Sequence, residues 1–285
     1  AHSFPTRRSS DLESIKNDTI GKSWRVYPVG GVLYPNGNIL ISYQGENMFP
    51  ISVGLAKFDK ESNLLWKSDG FYHHWGSVDK KTGKIYIPSK KVVKSPLRVS
   101  DHLKVFTCEK KYFSIDNIAV LNKDGQLIKE IDLLQAFVES DLTGVFNDAG
   151  GTRNVLHTCD PMHLNDVRIL HEDRSRHFSR FSSGDLLVSF RSINGVGVLD
   201  PETERFKWFY TGAVHNQHSP RFFKDNCIIV FDNMGGRESR GITRIVSINT
   251  IDGATETLFP PSTPNPPSRG FFSKNSGHVD IHRSE

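Results

Sequence analysis

The chain has 285 residues, 36% hydrophobic, 24% charged and 11% aromatic, with Lys+Arg 36 against Asp+Glu 32. That apolar content with a net charge of +4 excludes a disordered chain, and no apolar run approaches the ~18 residues of a membrane-spanning helix. The basic residues are dispersed and make no nucleic-acid footprint. Cys108, Cys159 and Cys227 offer neither a disulfide scaffold, a clear pair nor a CxxC zinc motif.

Residues 2–12, HSFPTRRSSDL, are basic and Ser-rich and share nothing with the rest of the chain. They match the translation of a common sequencing-adapter oligonucleotide. Arg283-Ser284-Glu285 matches the opening of its reverse complement. Both ends, 1–12 and 283–285, are therefore set aside as artefacts. Residues 13–282 are expected to be one partial domain of a longer parent.

From there the chain repeats a pattern of turn residue and apolar strand. It occurs at Gly37–Gln44, Gly83–Lys90, Gly184–Arg191 and Asn226–Asn233, each preceded by turn chemistry such as Pro35-Asn36-Gly37. Gly and Asn at these turns predict positive φ. A second strand follows each (Gly54–Asp59, Ile118–Asn122, Gly197–Asp200, Ile245–Asn249), then an Asp/Asn turn. A third strand comes next at Asn63–Trp66, Gln126–Lys129 and Arg205–Trp208. The wider gap after the second unit holds a Lys-rich segment, 90–111, and a predicted short helix over Leu133–Glu139. Pro260–Pro267 reads as an extended loop between strands.

Antiparallel units recurring every 40–50 residues predict an all-β fold, a β-propeller whose inner strands line a channel. The competing β-sandwich accounts less well for the repeated order of strand, strand, Asp/Asn turn, strand.

Histidines cluster where such strands begin or end. His73-His74 precedes the second unit, His163 lies in Asp160-Pro-Met-His163-Leu-Asn165-Asp166, and His218 follows Gln217, while Arg191 ends the Gly184 strand. In a propeller these positions converge on one channel mouth. His157, His171, His177 and His215 have no repeated context and read as solvent or loop residues. Arg240 reads as a solvated turn arginine.

These residues resemble the motif series of the arylsulfate sulfotransferase (arylsulfotransferase) family. The series runs, in order, through Pro35-Asn36-Gly37-Asn38-Ile39-Leu40, His73-His74, Asp160-Pro161-x-His163-x-Asn165-Asp166, Ser189-Phe190-Arg191, Gln217-His218 and Phe231-Asp232-Asn233. Phe271-Phe272-Ser273 and Gly277–Ile281 resemble the segment leading into the family's next strand. The resemblance implies a six-bladed β-propeller, of which this chain would hold about four to five blades.

It also implies sulfuryl transfer from an aryl sulfate to a phenol through a sulfohistidine on His218, with no nucleotide donor, cofactor or metal. Arg191, His163 and one or both of His73 and His74 would stabilise the charge of the sulfuryl group in flight. An imidazolium among them would protonate the departing phenolate. Asn165, Asp166 and Gln217 would orient the imidazoles, with Asn233 also near the substrate. The expected partners are small aryl sulfates and phenols, with no nucleic acid and no integral membrane segment. Exported relatives would place the parent protein in the periplasm.

Two other readings stand beside this one. A non-catalytic propeller would act as a binding or scaffold module. A metal-dependent hydrolase or lyase would use several of these histidines as ligands, against which stand Arg191 among them and the lack of HxH or HExxH spacing.

Overall fold

The computed structural model describes residues 26–45, 54–98, 107–108, 111–145, 159–234, 242–260 and 272–281. The proposed artefactual ends, His157, Arg240, Phe271, most of Pro260–Pro267 and much of the Lys-rich segment lie outside them. Four four-stranded antiparallel sheets follow one another along the chain, each a meander in sequence order. The first comprises β1 (Val26–Leu33), β2 (Ile39–Gly45), β3 (Gly54–Phe58) and β4 (Leu64–Asp69). The second comprises β5 (Ser77–Val78), β6 (Ile85–Lys94), β7 (Tyr112–Leu121) and β8 (Leu127–Asp132). In the third are β9 (Leu164–Ile169), β10 (Leu186–Phe190), β11 (Gly195–Asp200) and β12 (Arg205–Thr211). In the fourth are β13 (His218–Phe222), β14 (Cys227–Asp232), β15 (Arg244–Asn249) and β16 (Thr255–Phe259). The sheets are blades of an all-β propeller.

Local chemistry produces this order. The four turn residues expected at positive φ adopt it: Gly37 at 88°, Gly83 at 73°, Gly184 at 100° and Asn226 at 59°. In the middle strands the period of two sends alternate side chains to opposite faces, and both faces are buried. In β10, Leu186, Val188 and Phe190 enter a core shared with the second blade, while Leu187 enters one shared with the fourth. In β14, Ile228 and Val230 face the third blade, and Ile229 and Phe231 face Val279 of the closing segment. Outermost strands are more exposed, as in β4, where Leu64 and Leu65 both reach solvent.

The longer of two short helices lying wholly within the described residues, α1 (Leu133–Glu139), is capped by the Asp132 side chain, which accepts from the Gln135 N–H, and it buries Leu133, Ala136 and Phe137. Phe137 meets Phe190, Phe206 and Phe209 at ring separations of 5.3, 4.7 and 5.2 Å. Truncating it leaves a cavity among rings anchored on two strands, β10 and β12. Phe137→Ala is expected to lower stability by about 3–5 kcal/mol, measured by urea unfolding.

Three findings differ from the sequence reading. Each blade has four strands rather than three, the additional one being the innermost (β1, β5, β9, β13). The start of the Lys-rich segment continues β6, which pairs with β7 as far as Lys94 opposite Tyr112. Cys108 and Cys159, read as having no clear pair, form a disulfide with a Cα–Cα distance of 5.5 Å. Sequence spacing alone does not reveal that pair, because the β6–β7 hairpin and the loop ahead of β9 come together only in the fold. Among the described residues no helix is long and apolar enough to cross a membrane.

Candidate active site

The inner strands of blades two, three and four place His74, His163 and His218 at one end of the molecule, and Arg191 follows β10 beside them. His74 and His163 have ring centroids 5.3 Å apart. His218 interacts electrostatically with His163, Arg191 and His74. His73 turns the other way, into the blade. Its side chain is buried with Nε2 3.3 Å from Asp116 Oδ1, and its Nδ1 lies 2.7 Å from His74 Nδ1. Thus His74 faces the shared space and His73 lies behind it.

The backbone is held in unusual conformations here. His74, His163, Asn216 and Ser219 have φ of 51°, 55°, 54° and 52°. Left-handed backbone at non-glycine residues costs energy and persists only where the surroundings hold it in place. The restraints are visible. The Arg191 N–H donates to the His163 carbonyl at 2.9 Å, and the Ser42 hydroxyl donates to the His74 carbonyl at 2.9 Å. Gly30 of β1 passes so close that a Cβ there would overlap the His74 carbonyl. Gly30→Ala is therefore expected to shift the His74 backbone and lower turnover by about 100-fold, with the midpoint of urea unfolding falling less than in Phe137→Ala.

His218 is the best defined group. Its Nδ1 lies 2.7 Å from Asn233 Oδ1 and 3.0 Å from the Asn216 carbonyl. The Asn233 amide cannot turn round without loss, because its nitrogen donates to the carbonyls of Ser273 (2.9 Å) and Ser276. Both neighbours of Nδ1 are acceptors, so Nδ1 carries the proton and Nε2 keeps its lone pair. Burial lowers the His218 pKa to about 4. Nearby His163 and Arg191 push the same way, and the Asn233 bond offsets part of the shift. At neutral pH the group is a neutral imidazole with a fixed tautomer.

Behind His163 and His73 lies a buried charge network that the motif reading does not single out. Lys90 Nζ lies 2.9 Å from Asp116 and 2.7 Å from Asp160, and all three side chains are buried. Asp160 Oδ2 in turn lies 2.6 Å from His163 Nδ1. Burial works against the Lys90 charge, yet the two carboxylates outweigh it and raise its pKa. Burial likewise opposes ionised Asp160, but Lys90 and His163 hold its carboxyl below the usual range. His74 is driven well below its ordinary value by burial and then by His73, His163, Lys90 and His218. His73 is lowered by burial against the opposing pull of Asp116.

The other expected residues have different partners. The Asn165 amide donates to the Gln217 carbonyl at 2.7 Å. The Gln217 amide donates to Ser189 Oγ, Phe190 O and Gly195 O, which ties β13 to the β10–β11 turn. Asp166 pairs with Arg168 at 2.6 Å and Arg221 at 3.3 Å. The side chains that contact ring nitrogens of His163, His218 and His73 are instead Asp160, Asn233 and Asp116. His215 is exposed, and His171 and His177 are half-buried away from the cluster. His278, assigned no role from sequence, lies tilted at 42° against Trp75 with ring centroids 4.9 Å apart, and its Nε2 is 3.2 Å from the Arg221 guanidinium.

No protein of curated function matches the chain in sequence. Among solved structures it is similar to a protein of unknown function from Bacteroides caccae (14% identity, 81% of this chain and 66% of that one, TM-score 0.45). It is also similar to virginiamycin B lyase from Staphylococcus aureus (11% identity, 81% and 54%, TM-score 0.41). A third is the RRP9 WD40 repeats (11% identity, 84% and 55%, TM-score 0.43). The chain thus spans 54% to 66% of the length of these structures. The family described as Arylsulfotransferase (ASST) matches residues 32–281, nearly the whole of the chain, and the protein belongs to the arylsulfotransferase family.

Proposed function

We propose that the protein transfers a sulfuryl group from an aryl sulfate to a phenol by way of a sulfohistidine on His218, without a nucleotide donor. Family membership supports sulfuryl transfer in general. The observation that carries the finer reading is His218 itself, a buried neutral imidazole whose Nδ1 is engaged by Asn233 and Asn216, leaving Nε2 as a nucleophile.

In the first half-reaction Nε2 of His218 attacks sulfur, an N–S bond forms and the S–O bond to the aryl group breaks. Three sulfuryl oxygens carry the charge, and the Arg191 guanidinium is the fixed cation beside them. His163, whose Nδ1 donates to ionised Asp160, acts in its doubly protonated form and passes the Nε2 proton to the departing phenolate. It is then the base that takes the proton of the acceptor phenol, whose oxygen attacks sulfur as the N–S bond breaks. His74 closes the wall next to His163, and His73 fixes its ring from behind. The Cys108–Cys159 disulfide supports an exported protein working in an oxidising compartment.

A steady-state assay with p-nitrophenyl sulfate and a range of phenols tests this proposal. Parallel double-reciprocal lines are expected, as for a covalent intermediate. The kcat/KM is expected to fall as pH drops through about 4, where His218 takes up a proton. Absence of transfer to every acceptor, or intersecting lines that require both substrates bound together, would reject it.

A further inference from the structure

We propose that Lys90 is a positioning residue for two of the site's histidines, acting through Asp160 on His163 and through Asp116 and His73 on His74. The inference rests on the sulfuryl-transfer reading for its kinetic consequence and on geometry for its substance. Lys90 and Asp116 stand directly opposite each other on β6 and β7, so strand register places the ammonium beside that carboxylate. Asp160 comes from the loop ahead of β9 and meets the same ammonium at 2.7 Å. One cation is thereby shared by two buried anions, each of which has further work.

Asp160 holds His163 Nδ1 at 2.6 Å. Asp116 accepts the Leu164 N–H at 3.0 Å through Oδ2 and faces His73 Nε2 at 3.3 Å through Oδ1. A proton on His73 Nε2 is the tautomer that suits a carboxylate neighbour. His73 Nδ1 then accepts from His74 Nδ1 across their 2.7 Å contact, which sets the tautomer of the ring facing the site. The network reaches the His163 ring, the backbone just after it and, through one intervening imidazole, the His74 ring.

Stability is a poor reason for such an arrangement. Stripping water from three charges costs more than an apolar cluster of the same volume would. What the ions do supply is fixed direction. With the ammonium in place both carboxylates stay ionised, and only an ionised Asp160 compels His163 to donate from Nδ1 and present Nε2 to the substrate. Without it, two buried carboxylates sit near one another without the ammonium they share, and a proton on one of them becomes favourable. The charged and titratable groups facing this trio are His73, His74, His163 and Arg191.

The test compares wild type with Lys90→Met and Asp160→Asn, using kcat, KM, the pH profile of kcat and ¹⁵N-imidazole NMR. Lys90→Met is expected to lower kcat by about 10- to 100-fold with KM changed less than about twofold. Its profile should gain an acid limb that wild type lacks, because a buried carboxylate without its cation holds its proton to higher pH. The downfield Nδ1–H signal of His163 should be present in wild type and absent in both variants. Should Lys90→Met fail to fold, Asp160→Asn, which is isosteric, still has to show the kcat loss and the missing signal. Wild-type kcat, pH profile and His163 signal in a folded Lys90→Met protein would overturn the proposal, as would an unaltered Asp160→Asn. If the wild-type protein transfers no sulfuryl group, the functional reading fails, while the NMR comparison alone still decides whether Lys90 positions His163.

Discussion

His218→Ala is expected to lower sulfuryl transfer from p-nitrophenyl sulfate by at least about 10⁴-fold, because it removes the atom that forms the covalent bond. The loss should appear in kcat, since the variant removes the reacting group and keeps the Arg191 cation beside it. The blade should survive the change. The β13–β14 pairing of His218 with Phe231 is made by backbone, and Gln217 keeps its three bonds to Ser189, Phe190 and Gly195. Circular dichroism and the urea midpoint separate loss of chemistry from loss of fold. Transfer at the wild-type rate in a folded His218→Ala protein would remove His218 as the nucleophile.

Replacing Arg191 tests the other half of the mechanism, stabilisation of the charge on the moving sulfuryl group. Arg191→Ala is expected to cost about 100- to 1000-fold in kcat, the usual effect of losing one donor to a developing oxyanion. The side chain is half-buried and donates to Asn275 Oδ1 at 3.1 Å, which leaves most of its five N–H groups for a ligand. Its backbone N–H to the His163 carbonyl is independent of the side chain, so the His163 loop keeps its place in the variant. Arg191→Lys retains the charge and loses the planar fork, and it should fall between the two. Equal activity in wild type, Arg191→Lys and Arg191→Ala would show that the guanidinium does not meet the transferring group.

Much of the fold is legible because hairpin chemistry and period-two burial are local. Gly37, Gly83, Gly184 and Asn226 mark the turns before β2, β6, β10 and β14, and the runs after them are apolar because both faces of a middle strand are covered. The innermost strands escape that reading. The residues of β9, Leu-Asn-Asp-Val-Arg-Ile, and of β13, His-Ser-Pro-Arg-Phe, mix polar and apolar groups, Asn165 and Asp166 of β9 being engaged by Gln217 and Arg221 of β13 and its approach. With so weak a pattern they do not stand out as strands of their own.

The site divides in the same way. His74, His163, His218 and Arg191 are visible through their motifs, and they converge because blades stack radially. The groups that touch their nitrogens are not all visible. Asp160 lies inside a recognised motif, but only distance separates it from Asp166, which turns instead to Arg168 and Arg221. Lys90 looks like the opening of a solvated Lys-rich run, whereas strand register turns it inward onto Asp116. The choice between His73 and His74 likewise depends on Asp116, remote in sequence and brought close only by the β6–β7 pairing.

In the proposed reaction one imidazole, His218, carries the sulfuryl group between donor and acceptor. The most direct measurement mixes the protein with an aryl sulfate in the absence of acceptor, quenches at alkaline pH where a sulfohistidine persists, and maps modified peptides by mass spectrometry. One sulfuryl group on Nε2 of His218, discharged when a phenol is added, is the predicted result. An unmodified His218 peptide in protein that turns over the same donor, or a sulfuryl group on another residue, would contradict it.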